Sequence, residues 1–162
     1  MFLGKTQRIH FIGIGGIGVS ALAKYYIEND HTVTGSDLAE SEITKQLQDI
    51  GADIAIAEKG SHRALRDADL IVHSPAIQDS HVEMKEAKKL QAKDKSIHVL
   101  SYPQMLGELT KTHYTIAISG THGKSTTTAM LALILVEAGL DPTVIVGTKL
   151  KEFDNSNCRV GK

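Results

Sequence analysis

The chain has 162 residues, a formal net charge of −1 and 41% hydrophobic residues, enough for one ordinary domain or for one domain and part of another. No block of one charge sign dominates, so composition gives no basis for a nucleic-acid or membrane surface. A lone cysteine, Cys158, excludes an internal disulfide, no Cys/His run has zinc-site spacing, and the apolar start MFLGKTQRIHFIG is broken by glycines before it reaches the length of a signal core or a membrane span, so the expectation is a cytoplasmic protein.

Short β-branched runs alternate with amphipathic stretches in the order of βαβ units, and the runs are apolar enough for strands covered on both faces. In chain order the predicted strands are Ile9–Gly13, His31–Gly35, Asp53–Ala57, Leu70–His73, Ile97–Leu100, Tyr114–Ser119 and Thr143–Gly147. VSALAKYYIEN reads as the first helix, and EITKQLQDIG as the second, with Gly51 as its C-cap. HVEMKEAKKLQAK is a helix with a charged, solvated face, and YPQMLGELT opens with Pro103 in its first turn, where a missing N–H costs little. Asp67 and Asp69 look like a pair, but one ends a helix and the other starts a strand.

The fold class expected is α/β: a Rossmann-like parallel sheet with flanking helices over residues 1–110, then an incomplete P-loop βαβ unit over 111–162. One βαβ unit is too small to cover its own faces. Its helix, Lys124 to Ala138, carries TAMLALILVEAG, apolar almost all round as in a helix buried within a large α/β domain. Lacking neighbours, that helix is a candidate surface for self-association.

Gly13-Ile14-Gly15-Gly16-Ile17-Gly18 is a G-x-G-x-x-G directly after a predicted strand and before a predicted helix. Glycines there allow a tight turn and close backbone approach, and the helix N-terminus offers unpaired N–H groups to a pyrophosphate. Ser36 and Asp37 close the second strand about twenty residues on, where an acid reaches a ribose hydroxyl. Such turns also occur for close packing alone, and the pattern does not distinguish NAD from any other nucleotide diphosphate.

The second glycine loop, Gly120-Thr121-His122-Gly123-Lys124-Ser125-Thr126, follows the apolar run YTIAIS and opens a helix. Backbone N–H groups can surround phosphates there, Lys124 supplies a positive charge, and the Ser125 hydroxyl can ligate magnesium. The loop departs from G-x-x-x-x-G-K-[ST], because Ile118 stands five before Gly123. Thr127 and Thr128 add hydroxyls that would equally serve as helix-surface threonines.

These two loops, with IHFIGIGGIGVSALA, GSD at 35–37, IVHSPAI at 71–77, PQMLGEL at 103–109, GTHGKSTTTAM and AGLDPT at 138–143, resemble the N-terminal portion of the Mur ligases over nearly the whole chain. The resemblance implies an ATP-dependent amide-forming ligase of peptidoglycan precursor synthesis, with UDP-N-acetylmuramate and L-alanine as substrates and ATP and magnesium as cofactors. ATP would phosphorylate the muramate carboxylate, and the amine would attack the acyl phosphate; such chemistry needs charge neutralisation rather than a nucleophilic side chain. It implies that Gly13, Gly15, Gly16, Ile17 and Gly18 hold the UDP diphosphate, that Ser36 and Asp37 lie near the nucleoside, and that Ser74, Pro75 and Ala76 line the end of the fourth strand.

It also implies that ATP lies against Gly120 to Thr126, with Lys124 and Ser125 as the catalytic pair and Ser125 on magnesium. A murein-peptide recycling branch shares GTHGK, but GIGGIG favours the branch that adds alanine. Ser125 stands for the usual threonine, Tyr102 for an expected arginine, and His62 lies one residue off the usual Gly-His pair, which reads better as an exposed loop histidine. The family's acidic magnesium ligand and C-terminal domain fall beyond KEFDNSNCRVGK, so the 162 residues are expected to bind the UDP substrate and to be inactive alone. Two rival readings are an NAD-binding regulatory Rossmann module and a free-standing P-loop ATPase. His73 is expected to end a buried strand, and His122 is the one histidine placed to touch a nucleotide.

Overall fold

The computed structural model describes residues 7–56 and 62–161. Its main body is a five-stranded parallel sheet of β1 (Arg8–Ile12), β2 (Thr32–Asp37), β3 (Asp53–Ile56), β4 (Leu70–His73) and β5 (His98–Ser101), in the order β3-β2-β1-β4-β5. Five helices accompany it: α1 (Ile17–Glu28), α2 (Glu42–Asp49), α3 (His62–Arg66), α4 (Val82–Lys93) and α5 (Tyr102–Thr110). The fourth strand has the expected ends and the third the expected start, the remaining ends shift by one or two residues, and Ala57 lies outside the described residues.

Alternation along the central strands divides the core into two layers, because successive side chains leave a strand on opposite faces. Ile9 and Phe11 of β1, with Leu70 and Val72 of β4, face α1 and pack with Val19, Leu22, Ala23 and Tyr26. Ile12 and Ile71 face the other way and pack with Leu65 of α3 and Met84 and Ala87 of α4. Each large apolar side chain buried in this way is worth about 1.5–3 kcal/mol. Cover on both faces explains why the central strands β1 and β4 carry apolar residues at consecutive positions, Phe11-Ile12 and Leu70-Ile71-Val72. Ser41 caps α2, accepting from the Thr44 N–H while Thr44 Oγ1 accepts from the Ser41 N–H at 2.8 Å.

The later part of the chain departs from the expected βαβ unit. Helix α6 spans Lys124–Glu137, but Tyr114–Ser119 forms no strand; Tyr114 is 98% exposed and Ile116 is 53% exposed. An extended segment becomes a strand only beside a partner that takes its N–H and C=O groups, and no described strand runs along it. Instead β6 (Val144–Leu150) turns through a 3-10 segment at Lys151–Phe153 and pairs antiparallel with β7 (Ser156–Arg159). Sequence reading missed β7, whose SNCR has no run of β-branched residues. Helix α6 buries Ala132, together with Val144, Val146 and Phe153, and leaves Met130 and Ile134 exposed. No described helix is long and apolar enough to cross a membrane.

Candidate functional site at the first glycine loop

The strand order reverses between β1 and β4, and the crevice outside their carboxyl ends is where open α/β sheets bind ligands. The first glycine loop occupies that crevice. Gly13 has φ +76°, a left-handed conformation that disfavours side chains, and a Cβ there would stand 3.1 Å from Ser74 Cβ after β4. The Gly13 and Ile14 N–H groups donate to the Ser36 carbonyl at 2.9 and 3.0 Å, tying the loop to the end of β2.

Asp37 organises the next step of the loop. Its Oδ2 accepts from the Gly15 N–H at 2.8 Å, and its Oδ1 accepts from the Leu38 N–H at 2.8 Å. A Cβ on Gly15 would lie 2.9 Å from Oδ2, so this residue is glycine because the carboxylate comes so close. Gly18 has a different neighbour: a Cβ there would be 2.7 Å from Tyr102 Cζ. The aromatic that stands where an arginine was expected therefore lies on the first turn of α1.

Gly16 is the N-cap of α1, and no side chain caps this helix. A Cβ on Gly16 would meet the Gly13 carbonyl at 3.5 Å, Val19 Cγ2 at 3.8 Å and Ser74 Oγ at 4.0 Å, all ordinary contacts. The first-turn amides of Ile17, Gly18 and Val19 have no intrahelical acceptor by helix geometry, and the helix dipole adds partial positive charge. The arrangement can take an anion.

Ser36 is placed differently from a ligand contact. It is 3% exposed, and its hydroxyl donates to Glu83 Oε2 at 2.5 Å. Glu83, in the first turn of α4, also lies 3.4 Å from His10 Nε2 with both side chains fully buried, and His10 Nδ1 is 2.8 Å from Thr34 Oγ1. Burial pushes the Glu83 carboxyl up, but the bonds from His10 and Ser36 and the charges of His10 and His81 outweigh it and hold the group below its ordinary value. Sequence reading missed this network; its one signal was a histidine inside the apolar strand RIHFI. Ser74 donates its N–H to the Ile12 carbonyl at 2.9 Å, its Oγ accepts from the Ala76 N–H at 3.3 Å, and Ala76 is exposed. His73 ends β4 half-buried, and His62 opens α3.

The second loop is exposed. Gly123 caps α6 with φ +77°, and Lys124 Nζ donates to the loop carbonyls of Gly120 and Thr121 at 2.6 and 3.1 Å. Ser125 is half-buried, its Oγ 3.4 Å from where a Gly147 Cβ would be, while Thr121, His122 and Thr126 face solvent. Among the described residues no group of three or more His, Cys, Asp or Glu could hold a metal.

Residues 8–114 match the Mur ligase family, catalytic domain, a span that takes in the first loop and stops before the second. UDP-N-acetylmuramate--L-alanine ligase from Clostridium botulinum (strain Kyoto / Type A2) is 46% identical over 159 residues, covering 98% of this chain and 33% of that protein. Among solved structures, UDP-N-acetylmuramate-alanine ligase MurC from Thermotoga maritima aligns with TM-score 0.84 and 32% identity over 96% of this chain and 35% of its own. A murein peptide ligase from Psychrobacter arcticus aligns with TM-score 0.82 and 29% identity over 96% of this chain and 34% of its own. The chain spans about a third of the length of the curated relatives it matches.

Proposed function

The chain belongs to the Mur ligase family, and on that premise we propose that it is the N-terminal part of an ATP-dependent ligase that joins L-alanine to UDP-N-acetylmuramate. The observation that carries this reading is the bare first turn of α1 at the switch point, framed by Asp37, Ser74 and Tyr102. In this reading the Ile17 and Gly18 backbone grips the UDP diphosphate, while Asp37, held by the Gly15 and Leu38 amides, meets the ribose. Ser36 contributes its carbonyl, which fixes Gly13 and Ile14, rather than its hydroxyl. Identity of 46% to a relative named for alanine addition, together with GIGGIG in the first loop, supports the first branch.

Residues 1–110 are then the UDP-substrate domain, and 111–162 begin the ATP domain. The donor set of the second loop fits a polyphosphate: backbone amides at a left-handed glycine, the Lys124 ammonium and the Ser125 hydroxyl. Magnesium, when bound, neutralises charge on the transferring phosphoryl oxygens, and Ser125 is the residue here that would reach it. Lys124, now satisfied by two loop carbonyls, would turn to the phosphates. With this loop open to water on most sides, charges are not preorganised, and the 162 residues alone should not form the amide.

Calorimetry of the chain with UDP-N-acetylmuramate and with NADH tests the first loop. Binding of the UDP compound and not of NADH is expected; the reverse preference would overturn the reading in favour of a dinucleotide-binding module. An assay of ADP release with UDP-N-acetylmuramate and L-alanine should show no alanine-dependent turnover.

A further inference from the structure

The β6–β7 hairpin has two apolar faces, which is unusual for a two-stranded sheet. Val144 and Val146 face α6 and pack with Ala132, while Gly147 of the same strand lies beside Ser125 of the second loop. Ile145, Cys158 and Val160 join the core layer of α1, the helix of the first loop. Polar contacts fix this second face. Lys24 of α1 donates to Ser156 Oγ at 3.0 Å and to the Cys158 carbonyl at 3.2 Å. Asn157, 7% exposed, donates its side-chain amide to the Ile17 carbonyl and to Ser20 Oγ at 3.0 Å.

Ile17 and Ser20 are the first turn of α1. Ser20 Oγ itself donates to the Ile17 carbonyl at 3.1 Å, so Asn157 closes a three-membered polar cluster around the turn whose free amides face the crevice. A buried amide with this geometry restricts the turn's orientation, since leaving its partners unmet is costly. We propose that Asn157 is a positioning residue for the first glycine loop, and that through it the hairpin carrying the second loop's helix also sets the first.

The cluster reaches no ligand; it acts through the direction in which the Ile17, Gly18 and Val19 amides point. The link to ligand affinity rests on the proposed function, whereas the link to helix geometry does not.

The test uses the whole chain as wild type, Asn157→Ala and Ser20→Ala, the last being a mild change that keeps helix propensity if the first variant folds poorly. Amide exchange followed by NMR should quicken about 5–10-fold at Ala21 in either variant, and at Ser20 in Asn157→Ala, and less than about twofold at Tyr25 and Tyr26. Uniform acceleration along α1, or none at Ala21, would overturn the proposal. Affinity for UDP-N-acetylmuramate should fall about 5–10-fold in the variants while uridine affinity is unchanged; equal loss for both ligands, or no loss, also overturns it. A wild-type chain that binds no UDP-N-acetylmuramate would refute the proposed function instead, and the exchange rates would still decide the role of Asn157.

Discussion

Glu83→Ala removes the acceptor of the Ser36 hydroxyl and the polar group facing His10 Nε2 in one step. Ser36 Oγ lies within hydrogen-bond range of Glu83 Oε2, whereas 3.4 Å to His10 Nε2 is a longer contact. Ser36 and His10 are both buried, and each buried polar group left without its partner costs about 1–3 kcal/mol, so the substitution should cost about 2–6 kcal/mol. For a chain of this size each kcal/mol moves the unfolding midpoint by about 2–4 °C, so the midpoint should fall by about 4–24 °C. Glu83→Gln keeps an oxygen for Ser36 and should lose less. Because the folded carboxyl lies below its unfolded value, its stabilisation is complete above the unfolded value and disappears as pH falls through the folded one. Wild-type and Glu83→Ala midpoints should therefore converge in acid. Calorimetric melting across pH measures this, and a double-mutant cycle with His10→Ala should show coupling well above about 0.5 kcal/mol. A Glu83→Ala midpoint within about 2 °C of wild type, less than one kcal/mol, would refute the argument.

Gly18→Ala forces its new methyl against Tyr102, 2.7 Å from Cζ; overpacking should cost about 1–3 kcal/mol in a melting experiment, and adding Tyr102→Ala should recover UDP-N-acetylmuramate affinity. Burial pushes the Cys158 thiol up to about 12, and the residue is wholly inaccessible, so an aromatic disulfide reagent at pH 8 should label it only as fast as the β6–β7 hairpin leaves α1. Prompt labelling of the folded chain would contradict that packing. The exposed Met130 and Ile134 of α6 are expected to drive weak self-association at high concentration, and Ile134→Lys should return the sedimentation coefficient to the monomer value.

The central strands β1 and β4 were legible because each is a short apolar run beside a turn signal, and both their faces are covered, so local pattern and tertiary burial agree. YTIAIS has the same local pattern and forms no strand: strand formation depends on a neighbour, which no residue string of its own length encodes. The apolar residues of α6 mislead for the same reason, since burial is a property of what lies alongside. At the site, Gly13, Gly15 and Gly18 were legible as a loop, but the cause of each was not. Ser74, Asp37 and Tyr102 make those three positions glycine from 61, 22 and 84 residues away in sequence. The His10–Glu83 contact, across 73 residues, left no periodic trace at all.

The role of Asp37 shows how the loop and its acid constrain each other. Because Oδ2 already takes the Gly15 N–H and Oδ1 the Leu38 N–H, the Gly15 amide is withdrawn from the anion-binding set. The Gly16 N–H likewise donates to the Gly13 carbonyl at 3.3 Å, so a diphosphate gripped here would meet the first-turn amides of α1, Ile17 to Val19, and not the β2 side of the loop. Oδ1 also accepts from the Ala39 N–H at 3.5 Å, whereas Oδ2 keeps a second lone-pair direction that leaves room for a ribose hydroxyl. The same bonds hold the carboxylate in one rotamer before any ligand arrives, so ordering it adds little cost to binding. Replacing Asp37 with alanine would thus do two things at once: remove a ribose partner and free the Gly15 amide to compete for the phosphates. Its effect on affinity for a nucleoside should exceed its effect on affinity for inorganic pyrophosphate, and titration of the two ligands separates the roles.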